Sequence, residues 1–226
     1  MNIAIIAAAG AGTRMASDRP KQFLLLAGKP VIIHTLRVFE ECESIDEVIV
    51  VLPAAESAGF LSLAGKYNLR KVARVVPGGA TRADSVKRGL MAIRTATVEI
   101  VVVHDGVRPF VTVEEIDNTV AAAKADGAAI LVAPVTDTIK EIGATSVLRT
   151  LDRGVLRRAL TPQCFRYELL REAYQHADVS DPSLTDESAL VEQLGRPVSV
   201  VEGSARNIKI TTAEDLAIAE AILAVD

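Results

Sequence analysis

Five short apolar runs without polar alternation restrict the fold of this chain more than any other feature of its sequence. The segments between them, such as 32–42 and 85–95, carry apolar residues at helical spacing. A strand without alternation is expected where helices cover both faces of a parallel sheet. The pattern therefore predicts a three-layer α/β/α, Rossmann-like fold with a mostly parallel sheet. The predicted strands are 3–8, 48–52, 72–76, 100–104 and 128–133.

The first apolar run leads directly into a glycine-containing loop, residues 10–14. Glycines let backbone N–H groups approach an anion closely, and the start of a following helix adds a favourable dipole, although glycines alone also suit an ordinary turn. Met15 stands where a dinucleotide-binding loop would have its third glycine, and the Gly-Lys-Ser/Thr of a P-loop is absent. Arg14 and Lys21 instead present two cations to a polyphosphate. This pattern favours group transfer, because fixed cations offset charge that accumulates at phosphorus.

Two further polar loops follow predicted strands. Gly78 and Gly79 follow the third strand, and their backbone, with the Ser85 hydroxyl, could recognise the edge of a base, although a plain turn is the alternative. Asp105 and Arg108 close the fourth strand. Asp105 could accept a substrate hydroxyl or bind a divalent cation, and a salt bridge to Arg108 is the competing interpretation. Because parallel strands end at one edge of a sheet, the three loops should converge on one crevice.

The segment 135–153 interrupts the alternation of strands and helices. Two short strands, about 136–142 and 147–151, flank a turn at 143–146. An isolated two-stranded hairpin is marginal in water and needs a surface to cover it. The hairpin could lie on its own domain or exchange with a second copy of the chain, and the pattern alone leaves both open.

Composition limits the partners of the protein. The 226 residues carry a net charge of −4, which argues against a nucleic-acid or anionic-membrane partner. No apolar run reaches the length of a membrane-spanning helix, and no Lys or Arg precedes the first run as in a signal peptide. Cys42 and Cys164 lack metal or disulfide spacing and are expected to be core thiols of a cytoplasmic protein. His104 is predicted to be a packed strand residue, and no histidine is assigned a catalytic role.

The motifs together resemble the 2-C-methyl-D-erythritol 4-phosphate cytidylyltransferase family, nucleotidyltransferases of non-mevalonate isoprenoid biosynthesis. The resemblance covers nearly the whole chain and departs from the family pattern at Thr13, Ala80 and Gly106. The segments that carry it are 7–15, 20–23, 78–85, 104–109, 133–140, 159–163 and 207–209.

This resemblance implies transfer of CMP from CTP to 2-C-methyl-D-erythritol 4-phosphate, with release of pyrophosphate. It implies direct in-line attack of the substrate phosphate on the α-phosphorus, without a protein nucleophile or general base. It also implies Mg²⁺ bound mainly through the CTP phosphates, with no protein residue assigned as a metal ligand. The whole chain, 1–226, would be a single nucleotidyltransferase domain that forms a homodimer by exchange of an arm at about 135–155.

Carried over position by position, the resemblance also assigns site residues. Those expected around the triphosphate are Ala8, Ala9, Gly10, Gly12, Thr13, Arg14 and Lys21. Those expected around the cytidine are Gly78, Gly79, Ser85 and Gly106. Those expected at the sugar-alcohol phosphate are Asp105, Arg108, Thr161 and Lys209, with Thr138 and Arg153 of the partner subunit. The catalytic charges would be those of Arg14, Lys21, Arg153 and Lys209.

Three alternatives compete with this interpretation. A ribitol 5-phosphate cytidylyltransferase would share the loop and the Pro-Lys-Gln motif, and Leu160 before Thr161 mildly favours the methylerythritol enzyme. A nucleotide-binding regulator without turnover is disfavoured by Arg14, Lys21 and Asp105 together. A Rossmann oxidoreductase is disfavoured by Met15 and by the lack of an acidic ribose partner.

Overall fold

The computed structural model describes residues 1–10, 19–181 and 184–225, and in this part of the chain seven strands form the central sheet. The strands of this sheet are β1 (Asn2–Ala7), β4 (Glu47–Leu52), β5 (Val72–Pro77), β6 (Ile100–Asp105), β7 (Ala128–Pro134), β10 (Arg157–Arg166) and β11 (Ser199–Glu202). Their order across the sheet is β11-β7-β10-β6-β1-β4-β5. Two small hairpins are β2 (Leu25–Leu26) with β3 (Lys29–Pro30), and β8 (Lys140–Ile142) with β9 (Val147–Thr150). The helices are α1 (Val31–Glu41), α2 (Ala54–Ser57), α3 (Phe60–Lys66), α4 (Arg82–Met91), α5 (Val113–Asp126), α6 (Tyr167–His176), α7 (Glu187–Gln193) and α8 (Ala213–Leu223).

The sheet is mostly parallel, as predicted. β1 pairs in parallel with β4 and β6, while β10 runs antiparallel to both of its neighbours. Ala7 at the end of β1 is in register with Val51 on one side and Asp105 on the other. This register brings the loops after β1, β5 and β6 to one edge of the sheet.

Apolar side chains cover both faces of the sheet, which explains why the strands lack polar alternation. Ile5 points into one buried cluster with Val86 of α4 and Phe165 of β10. Ala4 and Ile6, its neighbours in β1, point into the opposite cluster with α1 and α5. Full burial of one such large aliphatic side chain stabilises the fold by about 1.5–3 kcal/mol. Among the described helices, none has both the length and the hydrophobicity that a bilayer-spanning helix requires.

Strand β10 was not predicted from the sequence. Its residues Thr161 and Gln163 are buried polar groups, and the pairing with β7 shifts register between Ala159 and Gln163. Pro162 lies in this shift and follows a cis peptide bond. Polar residues and a proline remove the signals by which a buried strand is identified in sequence.

The hairpin predicted at 135–153 is present as β8 and β9. Its first strand begins at Lys140, later than the predicted position of about 136, and Lys140 pairs with Thr150. Ile142 and Leu148 are 71 % and 62 % exposed, so the single chain does not cover these apolar side chains.

Candidate functional site

A cavity of about 390 Å³ opens where β1, β5 and β6 end. The described parts of the three predicted loops therefore meet at one crevice. Gly12, Thr13 and Arg14 lie outside the described residues. Predicted site residues that line this cavity are Ala8, Ala9, Gly10, Lys21, Gly79, Ser85, Asp105 and Lys209.

Close backbone approach explains two of the glycines at this edge. A Cβ added to Gly78 would lie 2.1 Å from the Cβ of Ala9, so any larger residue would push apart the loops after β5 and β1. A Cβ added to Gly106 would lie 2.8 Å from the Cβ of Ala8. The second value shows that glycine at position 106 has a steric consequence that the sequence did not reveal.

Hydrogen bonds fix the loop that precedes α4. Ser85 Oγ accepts a hydrogen bond from Gly79 N at 3.0 Å and donates to Thr81 O at 2.8 Å. The Asp84 carboxylate accepts from Ala80 N, and this bond, with the nearby Arg88, lowers the pKa of Asp84 although desolvation opposes it. Ser85 and Asp84 therefore brace the Gly-Gly turn and fix the direction of its remaining backbone groups.

Lys21 is positioned by the residue that follows it. Lys21 begins a short 3₁₀ turn, and the buried Gln22 side chain donates from Nε2 to Ala8 O at 2.7 Å. This bond fastens the Lys21 segment to the end of β1. Sequence reasoning included Gln22 within a motif but did not assign it this positioning role.

Three cations surround the buried carboxylate of Asp105. Its Oδ1 lies 3.3 Å from Arg82 Nε, and its Oδ2 lies 3.2 Å from Arg108 Nε and 2.9 Å from Lys209 Nζ. Burial alone would raise the pKa of Asp105, but the charges of Arg82, Lys209 and Arg108 hold it well below its ordinary value. The salt bridge to Arg108 is thus present, and the carboxylate is committed to cations of the protein.

Thr161 and His104 form a buried pair beneath this cluster. Thr161 Oγ1 accepts from Asp105 N at 3.1 Å and is hydrogen-bonded to His104 Nδ1 at 3.0 Å. Burial lowers the pKa of His104 to about 4. His104 Nε2 then carries the hydrogen and donates to Arg108 O at 3.2 Å, while Thr161 donates to Nδ1. This geometry confirms that His104 is a packed residue and turns the Thr161 hydroxyl towards β6.

A second cavity of about 180 Å³ adjoins the first. Arg82, Asp105 and Lys209 line both cavities, so the charged cluster lies between them. Arg108 also lines the smaller cavity, and its Nη1 donates to Asn207 O at 2.8 Å, which fixes the segment that carries Lys209. Two of the four cations predicted to be catalytic, Lys21 and Lys209, therefore face one continuous crevice.

The two site residues predicted on the arm lie away from both cavities in the single chain. Thr138 and Arg153 are exposed, and Arg153 Nη1 donates to Thr136 O. Within the described part of one chain, neither lines the two cavities.

Sequence reasoning missed one charged partner of the cluster. Glu187, the first residue of α7, is 1 % exposed and accepts two hydrogen bonds from Arg82. The only sequence signal was a Thr-Asp-Glu segment before an apolar run, which is also typical of an ordinary helix start. Among the described residues, no group of three or more His, Cys, Asp or Glu side chains could hold a metal ion.

A family model and several known proteins match nearly the whole chain in sequence. The model of the family described as "IspD: 2-C-methyl-D-erythritol 4-phosphate cytidylyltransferase" matches residues 2–225. A protein of that name from Pelotomaculum thermopropionicum is 48 % identical over 222 residues, which are 97 % of this chain and 93 % of the relative. One from Geobacillus kaustophilus is 46 % identical over 98 % of this chain and 96 % of its own length.

Solved structures of proteins named for this activity also match nearly the whole chain. The crystal structure of 4-diphosphocytidyl-2C-methyl-D-erythritol synthase from Anaerococcus prevotii has a TM-score of 0.85 at 33 % identity, over 99 % of this chain and 98 % of that one. The 2-C-methyl-D-erythritol 4-phosphate cytidylyltransferase of Thermus thermophilus has a TM-score of 0.79 at 35 % identity, over 97 % of both chains.

Proposed function

Because the chain belongs to the 2-C-methyl-D-erythritol 4-phosphate cytidylyltransferase family, we propose that it transfers CMP from CTP to 2-C-methyl-D-erythritol 4-phosphate and releases pyrophosphate. One observation carries this proposal at the level of the site. A crevice at the ends of three strands combines a close-packed glycine turn with two lysines, Lys21 and Lys209, and with a buried carboxylate that Lys209 contacts. Such an arrangement suits two phosphorylated substrates that meet at one phosphorus.

The larger cavity is proposed to hold CTP. Its backbone edges and small residues leave room for a nucleotide, and Lys21 supplies positive charge. The proposed triphosphate contacts are Ala8, Ala9, Gly10 and Lys21, together with Gly12, Thr13 and Arg14, which lie outside the described residues. The proposed cytidine contacts are Gly78, Gly79, Ser85 and Gly106.

The smaller cavity is proposed to hold the phosphate of the second substrate. Arg108 and Lys209 line it, and Thr161 and Asp105 support them. Lys209 is 35 % exposed on its side chain and lines both cavities, so it can contact phosphate while it keeps its bond to Asp105. Thr138 and Arg153 of the partner subunit are proposed to complete this end of the site.

In the proposed reaction, an oxygen of the substrate phosphate forms a bond to the α-phosphorus of CTP. The bond from that phosphorus to the bridging oxygen breaks, and its electron pair leaves with pyrophosphate. A phosphate monoester is already anionic at neutral pH, so the step needs no general base. Arg14, Lys21, Arg153 and Lys209 are proposed to stabilise the charge that accumulates on the equatorial oxygens.

A magnesium ion fits this site through the substrate. Asp105 is the one carboxylate among the described residues that line the larger cavity, and its oxygens already contact three cations. The ion would therefore be bound mainly by CTP phosphates, where it would neutralise their charge.

The exposed apolar residues of the arm support a homodimer. Ile142 and Leu148, with Val155 beyond the hairpin, would cost free energy if they stayed in water. Exchange of the arm, about 135–155, between two single-domain chains of 1–226 would cover them.

The free, buried thiols of Cys42 and Cys164 suit the reducing cytoplasm, which we propose as the location.

The competing substrate is ribitol 5-phosphate. Pyrophosphate release from CTP should be measured with methylerythritol phosphate and ribitol phosphate in parallel, with Mg²⁺ in both. We expect kcat/KM to be at least about 100-fold higher with methylerythritol phosphate, a difference of the size that a polar site can impose between substrates. Equal or higher turnover of ribitol phosphate would overturn the assignment.

A further inference from the structure

Polar contacts link Asp105 in the candidate site to Tyr174 on α6, a helix that lines neither of the two cavities. The hydroxyl of Tyr174 donates to Glu187 Oε1 at 3.0 Å, and Arg82 Nη1 donates to both Glu187 oxygens at 2.9 and 2.8 Å. Arg82 Nε then contacts Asp105 Oδ1. Building on the proposed function, we propose that Glu187 is a positioning residue, which holds Arg82 so that Asp105 can orient Lys209 towards the phosphate of the second substrate.

The burial of Glu187 calls for a physical explanation beyond packing. A carboxylate at this depth is costly unless it is paired, and a buried ion pair contributes little net stability compared with apolar side chains of similar size. The first turn of α7 could therefore be packed without a charge. What the charge supplies is a fixed direction for Arg82.

The orientation of Arg82 decides which cations contact each oxygen of the Asp105 carboxylate. Arg82 occupies only Oδ1, which leaves Oδ2 to Arg108 and Lys209. A guanidinium can bind both oxygens of one carboxylate at once. Without Glu187, Arg82 would gain most by doing so, and Lys209 would lose its partner.

Glu187 is itself held firmly. The backbone N–H groups of Glu187 and Ser188 both donate to Gln163 Oε1 at 3.1 Å, and Asp186 caps α7 through Ala189 N. Burial and the charge of Glu187 raise the pKa of Tyr174, which therefore keeps its proton and donates to the carboxylate. The position of the Glu187 charge is thus fixed from the α6 side, from β10 and from its own helix.

The test is Glu187→Gln, which keeps the shape and removes the charge. We expect KM for methylerythritol phosphate to rise and kcat to fall, with kcat/KM lower by about 10- to 100-fold, because small misplacement of a catalytic group costs this much. KM for CTP should stay within about twofold. Glu192→Gln, a change of an exposed carboxylate on the same helix, is the matched control and should leave all three parameters unchanged. Glu187→Asp, which restores the charge on a shorter side chain, should recover part of the loss.

Non-additivity separates positioning from a general loss of structure. If Glu187 acts through Lys209, Glu187→Gln should change kcat/KM by less than about twofold in a Lys209→Ala background. Additive losses in the double variant would overturn the inference, and so would equal changes in KM for CTP and for methylerythritol phosphate. If Glu187→Gln does not fold, Tyr174→Phe removes one hydrogen bond to Glu187 and should raise only KM for methylerythritol phosphate. An unchanged KM there would count against the role of Glu187.

A crystal structure of the variant tests the same step without activity. In Glu187→Gln, Arg82 should shift towards both oxygens of Asp105, and Lys209 Nζ should move away from Oδ2. Tyr174→Phe keeps the charge of Glu187 but removes one bond that fixes it, so the same shift should be smaller there. An unchanged contact between Lys209 and Asp105 contradicts the inference whatever the substrate is. Failure of the wild-type protein to turn over CTP with methylerythritol phosphate would instead contradict the proposed function.

Discussion

Gly78 shows how one residue without a side chain shapes the end of the crevice that is proposed to bind the nucleotide. Its Cα faces the Cβ of Ala9, and its backbone N donates to Leu52 O at 2.7 Å. The loops after β1 and β5 can therefore approach each other closely only while position 78 is glycine. Ala9, proposed to contact the triphosphate, and Gly78, proposed to contact the cytidine, share this constraint.

We predict that Gly78→Ala lowers the free energy of unfolding by about 1–3 kcal/mol, because an added methyl group overpacks this contact. It should also raise KM for CTP, since the two loops must separate. Urea unfolding and steady-state kinetics measure the two effects. Gly65→Ala is the control, because a Cβ there meets no atom within 4 Å, and it should leave stability unchanged or higher. Equal stability of the two variants would contradict the proposed packing.

His104 links stability to pH. Burial lowers its pKa to about 4, so the unfolded chain binds a proton at higher pH than the folded chain does. Stability from this group is therefore fully present above the ordinary histidine pKa and is lost as the pH falls from about 6.5 towards 4. The loss should be on the order of 2–3 kcal/mol.

We therefore expect His104→Gln to flatten the pH dependence of the free energy of unfolding between pH 7 and pH 4. Urea unfolding at several pH values measures the slope. His176→Gln, a change of an exposed histidine on α6, should keep the wild-type slope. A wild-type slope in His104→Gln would mean that the histidine is not held neutral by burial.

At the scale of elements, the arm formed by β8 and β9 is a two-stranded sheet separate from the central sheet. Its two strands pair with each other, and the ion pair of Arg149 with Glu141 joins the arm to itself. The apolar side chain of Leu148 lies in solvent beside them. An arm of this kind gains stability when another surface covers it.

Arm exchange predicts that activity can be restored by mixing two inactive variants. Lys21→Ala chains and Arg153→Ala chains should form hybrid dimers in which one of the two sites has both residues intact. Random pairing would give up to about one quarter of wild-type pyrophosphate release. Mixing Lys21→Ala with Lys209→Ala is the control and should restore nothing, because these two residues belong to the same subunit's crevice. No recovery in the first mixture, with subunit exchange shown by mass, would contradict sharing of the sites.

The elements that the sequence predicted are those with strong local signals. β1, β4, β5, β6 and β7 begin and end within two residues of the predicted positions, because β-branched runs between helices specify buried strands. β10 was missed because Thr161, Pro162 and Gln163 interrupt its pattern.

The same distinction between local and long-range signals applies to the candidate site. The polar loops that follow β1, β5 and β6 could be located because each follows a recognisable strand. The contact of Arg82 with Glu187 joins residues 105 positions apart, and neither local sequence identifies the other. Long-range pairing of charges depends on how β10 and α7 pack, which local pattern does not reveal.

At the scale of the whole molecule, positive charge is concentrated where the substrates are proposed to bind. The chain carries a net charge of −4, yet Lys21, Arg82 and Lys209 line the larger cavity with a single carboxylate, Asp105, among the described residues. A crevice with this excess of positive charge attracts anionic substrates to a protein whose net charge is negative. The account as a whole thus depends on transfer of the CMP group taking place in the crevice that Lys21 and Lys209 line.

Pyrophosphate release from CTP and methylerythritol phosphate by the wild-type protein and by Lys21→Ala tests this claim most directly. The wild-type protein should turn over, and Lys21→Ala should keep its fold while kcat falls by about 100-fold or more, since one preorganised charge contributes about 3–4 kcal/mol to the transition state. Lys66→Ala, at an exposed lysine on α3, should match the wild type. A folded Lys21→Ala protein with near-normal kcat would contradict the central role assigned to this crevice.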